Sequence, residues 1–409
     1  MVENSNYMIQ LSACLIVKNE ANLLPHCLES LSTFVDEIIV VDTGSTDETM
    51  KIARKYSAQV HQFLWVEDFS AARNKSLSYA RGEWILYIDA DETIDELNAN
   101  KIRSVINRKD IMGITVRQCI PQQSNNIATA YYSEYCRIFR RHKDIRFKGK
   151  IHEQILPSIE RLGGKVLRTD IVIYHWAYAI NKEKKRCRAE RNLRYLLNEL
   201  EIVQDDSFIY LNLGITYSEL GKKDAAIRSL QHALDLDNGS IKRELIGQVH
   251  LCLAKLYLEL DNFTEATYHA QMVSSYDPAN PLSSYILATV ATVNKQYKTA
   301  IFHLENAIQI AKGETGLFPS VELNLAQIYF ELGSCRSALG NILDAEKDFA
   351  QSLEHNPSAA LPYVLLGNCR FLHGDTKEAK KMYELALMID PSLQNASDGL
   401  ALCRTNTNK

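Results

Sequence analysis

At 409 residues, with 46% hydrophobic and 23% charged side chains, the chain exceeds one ordinary domain and has the balance of a globular protein. Its 46 basic and 50 acidic residues give a net charge of -4, which excludes a chain-wide nucleic-acid-binding role. Nine scattered cysteines without a CxxC pair argue against a disulfide frame or zinc site and for a reducing, cytoplasmic setting.

The opening MVENSNYMIQ is polar, and no stretch reaches the roughly 18 to 20 apolar residues of a membrane span, so neither a secretory signal nor a span is expected. SACLIVKNE then reads as a strand ending in polar residues, and EANLLPHCLESL has helical spacing. VDEIIVVDTGSTDETMKIARKY reads as a buried strand, a Gly-Ser turn and a helix capped by Ser45 or Thr46. AQVHQFLWV reads as a strand, SAARNKSLSYA as a helix and EWILYIDADE as a strand. Such alternation implies an α/β domain with a mainly parallel sheet and helices on both faces, which binds ligands beyond the carboxyl ends of its strands. The clusters Lys18-Asn19-Glu20, Asp42-Thr43-Gly44-Ser45 and Asp89-Ala90-Asp91 all fall at such ends.

Side chains two apart on a strand share a face, so Asp89 and Asp91 are expected to meet one ligand together. Two carboxylates that close repel unless a cation joins them. Mg²⁺ or Mn²⁺ suits them, because such ions take oxygen ligands and leave positions for diphosphate oxygens. Asp42 is suited to accept from a base N–H, Gly44 to let the backbone approach a ligand, and Asn19 and Glu20 to bond a base or ribose. Arg73 and Asn74 are expected to reach the nucleotide, and Val17 and Ala90, beside these polar residues, complete the expected contact set.

From about residue 183 the pattern is helical and repeats. A small residue recurs at Gly214, Ala254, Ala288, Gly333 and Gly367, each followed by a second helix and several by a terminating proline. That is the tetratricopeptide pattern of about five helix pairs. The expected boundaries are 1–180 for the α/β domain, 181–204 for a basic linker helix and 205–409 for an all-α solenoid.

LIVKNE, EIIVVDTGSTDET, DFSAARN and WILYIDADE occur in the order and spacing of family 2 glycosyltransferases of the GT-A fold, which residues 10–178 resemble. The resemblance implies a nucleotide-sugar donor, usually a UDP-sugar, a divalent metal at Asp89 and Asp91, and inversion at the anomeric carbon. It implies that Asp42 contacts uracil, Asn19 and Glu20 the nucleoside, Asp89 the ribose or metal, and Asp91 the metal. With RIFRRHKDIRFKGKIHEQI, TDIVIYHW and the repeats, the chain resembles bacterial peptide S-glycosyltransferases. Those attach a hexose to cysteine, sometimes serine, of bacteriocin precursors called glycocins. UDP-glucose is the foremost donor on this resemblance.

Many family 2 members carry their base in an acidic pair late in the domain; here the equivalent is His152-Glu153, with Glu153 expected as base and His152 sharing that role or positioning the acceptor. His175, closing DIVIYHW, is expected as a further metal ligand. Residues 137–150 hold seven Lys or Arg against one acid, and 182–194 seven against two. Arg137 and Arg140 are the candidates to clamp a diphosphate, and Arg186, Arg188 and Arg191 to reach back across the domain joint. The repeats are suited to hold an acceptor polypeptide or to form a homodimer. The alternatives are transfer to flagellin, another protein or a surface polysaccharide, a non-catalytic repeat adaptor, and a nucleotidyltransferase. The last would carry a Gly-rich basic loop at the first strand, which LIVKNE lacks.

Overall fold

The computed structural model describes residues 9–119, 132–176, 182–237, 243–313 and 323–406. The first part alternates strands and helices: β1 (Leu11–Val17), α1 (Leu24–Ser32), β2 (Glu37–Asp42), α2 (Thr49–Lys55), β3 (Gln59–Gln62), α3 (Phe69–Leu77), β4 (Trp84–Tyr87), β5 (Glu92–Thr93), α4 (Glu96–Val105), β6 (Gly113–Cys119), β7 (Tyr132–Arg140), α5 (Leu156–Arg161) and β8 (Val166–His175). The sheet order is β3-β2-β1-β4-β7-β6-β8-β5. Strands β3, β2, β1 and β4 are parallel, whereas β7 runs antiparallel to both β4 and β6, and β5 antiparallel to β8.

The strand period explains the two cores. In β1, Leu11, Ala13, Leu15 and Val17 join Leu24, Leu28 and Leu31 of α1 and Ile102 of α4, while Cys14 faces the opposite cluster with Leu77 of α3 and Ile159 of α5. Helices therefore cover both faces, as the alternation implies. Two local expectations are corrected. AQVHQFLWV is a strand only at 59–62, because its partner β2 ends at Asp42: Phe63 N–H to the Asp42 carbonyl is the last rung, and Leu64 then turns out to solvent at 86% exposure. Helix α2 begins at Thr49 with Glu48 at its N-cap, so neither Ser45 nor Thr46 caps it; both hydroxyls bond Asn19 instead.

All later elements are helical: α6 (Lys182–Leu200), α7 (Ser207–Glu219), α8 (Lys223–Asp235), α9 (Arg243–Glu259), α10 (Phe263–Tyr276), α11 (Pro281–Val293), α12 (Tyr297–Ala311), α13 (Leu325–Ala338), α14 (Ile342–His355), α15 (Ala360–Leu372), α16 (Thr376–Ile389) and α17 (Gln394–Asn406). Helices α7 to α16 form the five pairs the repeat spacing requires. A Cβ on Gly214 would meet Leu230 at 2.5 Å, one on Gly333 would meet Phe349 at 2.8 Å, and one on Gly367 would meet Tyr383 at 2.8 Å. The bare position on each first helix is thus filled by a large side chain of the second.

The chain divides into two compact units, with the joint after Leu236. The first pair, α7 and α8, and the basic helix α6 therefore cluster with the α/β domain rather than with the later repeats. Helix α6 buries Tyr195 and Leu196 with Ile151 and Ile209, and Trp65 and Phe69 pack onto them. Its Glu199 accepts from the Lys150 backbone N–H at 3.3 Å, and its Arg194 pairs with Glu67 at 2.9 Å. The expected linker is a packed element.

In the second unit, α9 and α10 bury a histidine pair, His250 and His269, with Nδ1 atoms 2.8 Å apart. Burial lowers both pKa values to about 4, at His250 with a smaller contribution from the neighbouring imidazole. Unfolded histidines titrate near ~6.5 and so take up protons first on acidification. The pair's stability is therefore complete above about pH 6.5 and is lost as pH falls toward 4, by on the order of 3 kcal/mol per histidine at most. Thermal melts across that window are expected to show a steady fall that a His250→Gln, His269→Gln double variant flattens.

Candidate active site

The carboxyl ends of β1 and β2 lie side by side, Val17 opposite Asp42. Thr43 caps this edge, donating both its backbone N–H (2.9 Å) and its hydroxyl (3.1 Å) to the Val17 carbonyl. The Asp42 carboxylate, 1% exposed, accepts from the backbone N–H groups of Gly44 and Ser45, each at 3.1 Å. Gly44 adopts φ +106°, which an L side chain rarely reaches, and open space surrounds its missing Cβ. Asn19, itself at φ +56°, accepts from the Thr46 N–H at 2.8 Å and donates its own N–H to Ser45 Oγ at 2.9 Å. Glu20 N–H donates to Thr49 Oγ1 at 2.8 Å. Val17, Asn19, Glu20, Asp42 and Gly44 thus form one laced edge. Asp42 and Asn19 spend acceptor capacity on the lacing.

Strand β4 ends at Tyr87, so Asp89 and Asp91 sit on a turn and not, as expected, on a strand. Glu92 closes that turn: its carboxylate accepts from the Asp89 N–H at 2.8 Å, and its N–H donates to the Asp89 carbonyl at 3.1 Å. The two aspartates diverge in consequence. Asp89 faces Arg73, whose Nη2 donates to it at 2.6 Å, and Arg137 at 3.5 Å. Asp91 faces His175, with 3.1 Å between its carboxylate and Nε2. Ala90, between them, is buried.

Arg73 and Arg137 are 6% and 5% exposed. Both guanidiniums lie over the Tyr87 ring, 4.9 and 4.6 Å from its centroid. Arg73 donates through Nε to Glu153, and Arg137 donates to Glu92 at 2.8 Å, which also accepts from Gln118. The two cations outweigh burial and hold Asp89 well below the usual carboxylate range. Glu92 is fully buried, and desolvation with the Asp89 charge lifts it above that range against the pull of Arg137. Three carboxylates (Asp89, Glu92 and Glu153) thus gather around two guanidiniums.

Glu153 reaches this centre through Arg73. His152, beside it, is exposed, adopts φ +53° and is held below its ordinary pKa, first by loss of solvation and further by Arg188 and Arg191 of α6. The loop carrying both is braced by Phe69 N–H to the Lys150 carbonyl (2.9 Å) and Ser70 Oγ to the Gly149 carbonyl (2.6 Å). Asn74 is committed here too: its amide donates to the Phe147 carbonyl at 3.0 Å and accepts from the Phe147 N–H at 2.9 Å. The expectation that Asn74 reaches a nucleotide meets an amide already paired with backbone. Arg140 pairs with Glu83 and donates to the Ile111 and Arg108 carbonyls, at the amino end of β4, so Arg140 lies apart from the Asp89 centre that Arg137 joins. Arg186 pairs with Glu190 along its own helix, whereas Arg191 lies over Phe69 at 5.3 Å.

A divalent cation fits at Asp91 and His175. The carboxylate and imidazole, 21% and 13% exposed, offer an oxygen and a nitrogen donor side by side, and no group of three ligating side chains occurs among the described residues. Such an ion would take its other ligands from water and substrate oxygens. Burial opposes a charge on His175, but the Asp91 hydrogen bond and charge prevail and raise its pKa.

Sequence reasoning missed Tyr87, Glu92 and Gln118. Glu92 carried a readable signal as the third acid within four positions of a chain about to turn. Tyr87 and Gln118 carried none, since each reads as an ordinary strand residue.

Residues 12–157 match the Glycosyl transferase family 2 profile, and residues 209–239 and 361–393 match the tetratricopeptide repeat. A TPR repeat-containing protein of Synechococcus elongatus is 32% identical over 287 residues, covering 68% of this chain and 70% of that one. The SPbeta prophage-derived glycosyltransferase SunS of Bacillus subtilis is 27% identical over 289 residues, 69% of this chain and 67% of its own. Among solved structures, YrrB, titled a TPR protein with an unusual peptide-binding site, covers 50% of this chain and 96% of its own at 20% identity and a TM-score of 0.41. With the transferase profile on the α/β domain and a curated relative matched over two thirds of both chains, the protein belongs to the family 2 glycosyltransferases that carry tetratricopeptide repeats.

Proposed function

We propose that this glycosyltransferase moves a hexose, glucose foremost, from a UDP-sugar to a cysteine or serine side chain of a peptide, with inversion. The observation that carries the reading is the junction at Arg73, which joins Asp89 on the donor side to Glu153 at the loop where an acceptor base is needed. The likeness to the glycosyltransferase SunS across both kinds of domain supports it.

The laced edge of Val17, Asn19, Glu20, Asp42 and Gly44 holds the nucleoside, with Gly44 letting it approach the backbone. Arg137 faces the diphosphate from the Asp89 side. Asp91 and His175 hold a divalent cation, Mn²⁺ favoured over Mg²⁺ by the imidazole donor. When bound, that ion offsets charge on the departing diphosphate. Glu153 takes the acceptor proton through the carboxylate oxygen that does not face Arg73, with His152 positioning the acceptor. A thiol, with free pKa ~8.5, needs less of this help than a hydroxyl. The repeats hold the acceptor polypeptide nearby and raise its local concentration. No helix among the described residues is long and apolar enough to cross a membrane.

Incubation with Mn²⁺ or Mg²⁺, a panel of UDP-sugars and Cys- or Ser-containing peptides is expected to add one hexose to a peptide, read by mass; absence of both transfer and uridine-nucleotide binding overturns the proposal. Asp91→Asn is expected to slow transfer by at least about 100-fold, the several kcal/mol a bound cation supplies, with metal titration no longer raising the rate. Glu92→Gln touches no substrate but frees the Asp89 turn. It is expected to lower kcat about 10- to 100-fold, as loss of a supporting partner does, while the thermal midpoint of the first unit shows whether folding is kept. A chain ending at Asp237 retains donor hydrolysis and loses peptide transfer if the later repeats hold the acceptor; unchanged transfer refutes that role.

A further inference from the structure

Beside Asp91 opens a groove of about 910 Å³ between α1 and α4. That is the size of a pocket for a ligand of several residues. Phe34, Ile94 and Trp176 supply its apolar surface, and Asp91, Glu29 and Glu96 its charge; no lysine or arginine lines it. Glu29 and Glu96 are exposed, Glu29 on α1 and Glu96 on α4. The arginines of the centre, Arg73 and Arg137, are committed to Asp89, Glu92 and Glu153 instead.

Trp176 is a rigid feature of this groove. Its backbone N–H donates to the Asp91 carbonyl at 2.8 Å, and its indole N–H donates to Thr93 Oγ1 at 2.8 Å. The ring is nonetheless 46% exposed. An aromatic plate fixed to the turn that carries Asp91, yet open to solvent, offers contact area at little cost in side-chain entropy. The acids exclude an anionic ligand from the far part of the groove, so a nucleoside diphosphate is poorly matched there, while a cationic, partly apolar ligand is matched in both respects.

We propose that this groove is the acceptor-side subsite and takes an apolar polypeptide segment carrying lysine or arginine, seated against Trp176 next to the residue to be modified. The proposal rests on the reading of the chain as a peptide glycosyltransferase, and it predicts the charge of the acceptor.

The test uses the full chain and three synthetic peptides of equal length, each with one cysteine in a leucine-containing background carrying Lys, Gln or Glu. Binding is read by tryptophan fluorescence. Of the three tryptophans, Trp84 is fully buried and Trp65 packs under α6, so Trp176→Phe assigns the signal. The Lys peptide is expected to bind about five- to tenfold more tightly than the Glu peptide, the sum of two or three exposed ion pairs. The signal is expected to vanish in Trp176→Phe, and a Glu29→Lys, Glu96→Lys double variant to reverse the order of the two peptides. Equal affinities, an order that survives charge reversal, or a signal that survives Trp176→Phe overturns the proposal. UDP release by the wild type separates the two readings. Release without charge-dependent binding removes the subsite alone, whereas charge-reversible binding without any uridine-nucleotide turnover supports the groove and removes the transferase reading.

Discussion

Two guanidiniums buried on one tyrosine ring are the constraint on which the candidate site depends. Arg73 and Arg137 both lie over Tyr87, and each is a permanent cation that burial would penalise heavily without partners. Asp89 and Glu92 on one turn and Glu153 from a distant loop supply those partners. Removing one partner leaves an uncompensated charge in a low-dielectric place, so the cluster specifies one arrangement of the β4–β5 turn, the 149–153 loop and β7.

The same cluster divides labour between the two aspartates. Asp89 is drawn inward and kept ionised, where it orders the arginines. Asp91, two residues on, is left with His175, which β8 delivers by pairing opposite Glu92. A turn closed by the Glu92 side chain separates them, so one motif sends one carboxylate to the arginines and the other to His175. Packing from a distance supports this division. Helix α6 covers Trp65, Phe69 and Ile151, next to the loop that carries His152 and Glu153. The helix and the first repeat pair therefore belong to the frame of the site.

The electrostatic map follows. At the sheet end Arg73 and Arg137 are buried and paired with carboxylates, while the α1–α4 groove beyond Asp91 is lined by acids and apolar surface. For the transfer proposed above, these acids disfavour an anionic donor in the groove.

The sequence by itself determined what depends on near neighbours. Strand–helix alternation, polar clusters at the strand ends and the recurring small residues at 214, 254, 288, 333 and 367 all reflect side-chain periods, and the fold classes and the five helix pairs were legible from them. Of the centre, Arg73, Asp89, Arg137 and Glu153 were legible, whereas Tyr87, Glu92 and Gln118 were not. Their partners were decided only by tertiary structure: Arg73 meets Glu153 across 80 residues and Asp91 meets His175 across 84. The divergence of Asp89 from Asp91, the commitment of Asn74 to Phe147, the displacement of Arg140 from the site and the docking of α6 share one cause. A long polar side chain has several acceptors within reach of its sequence position, and only the three-dimensional packing selects among them.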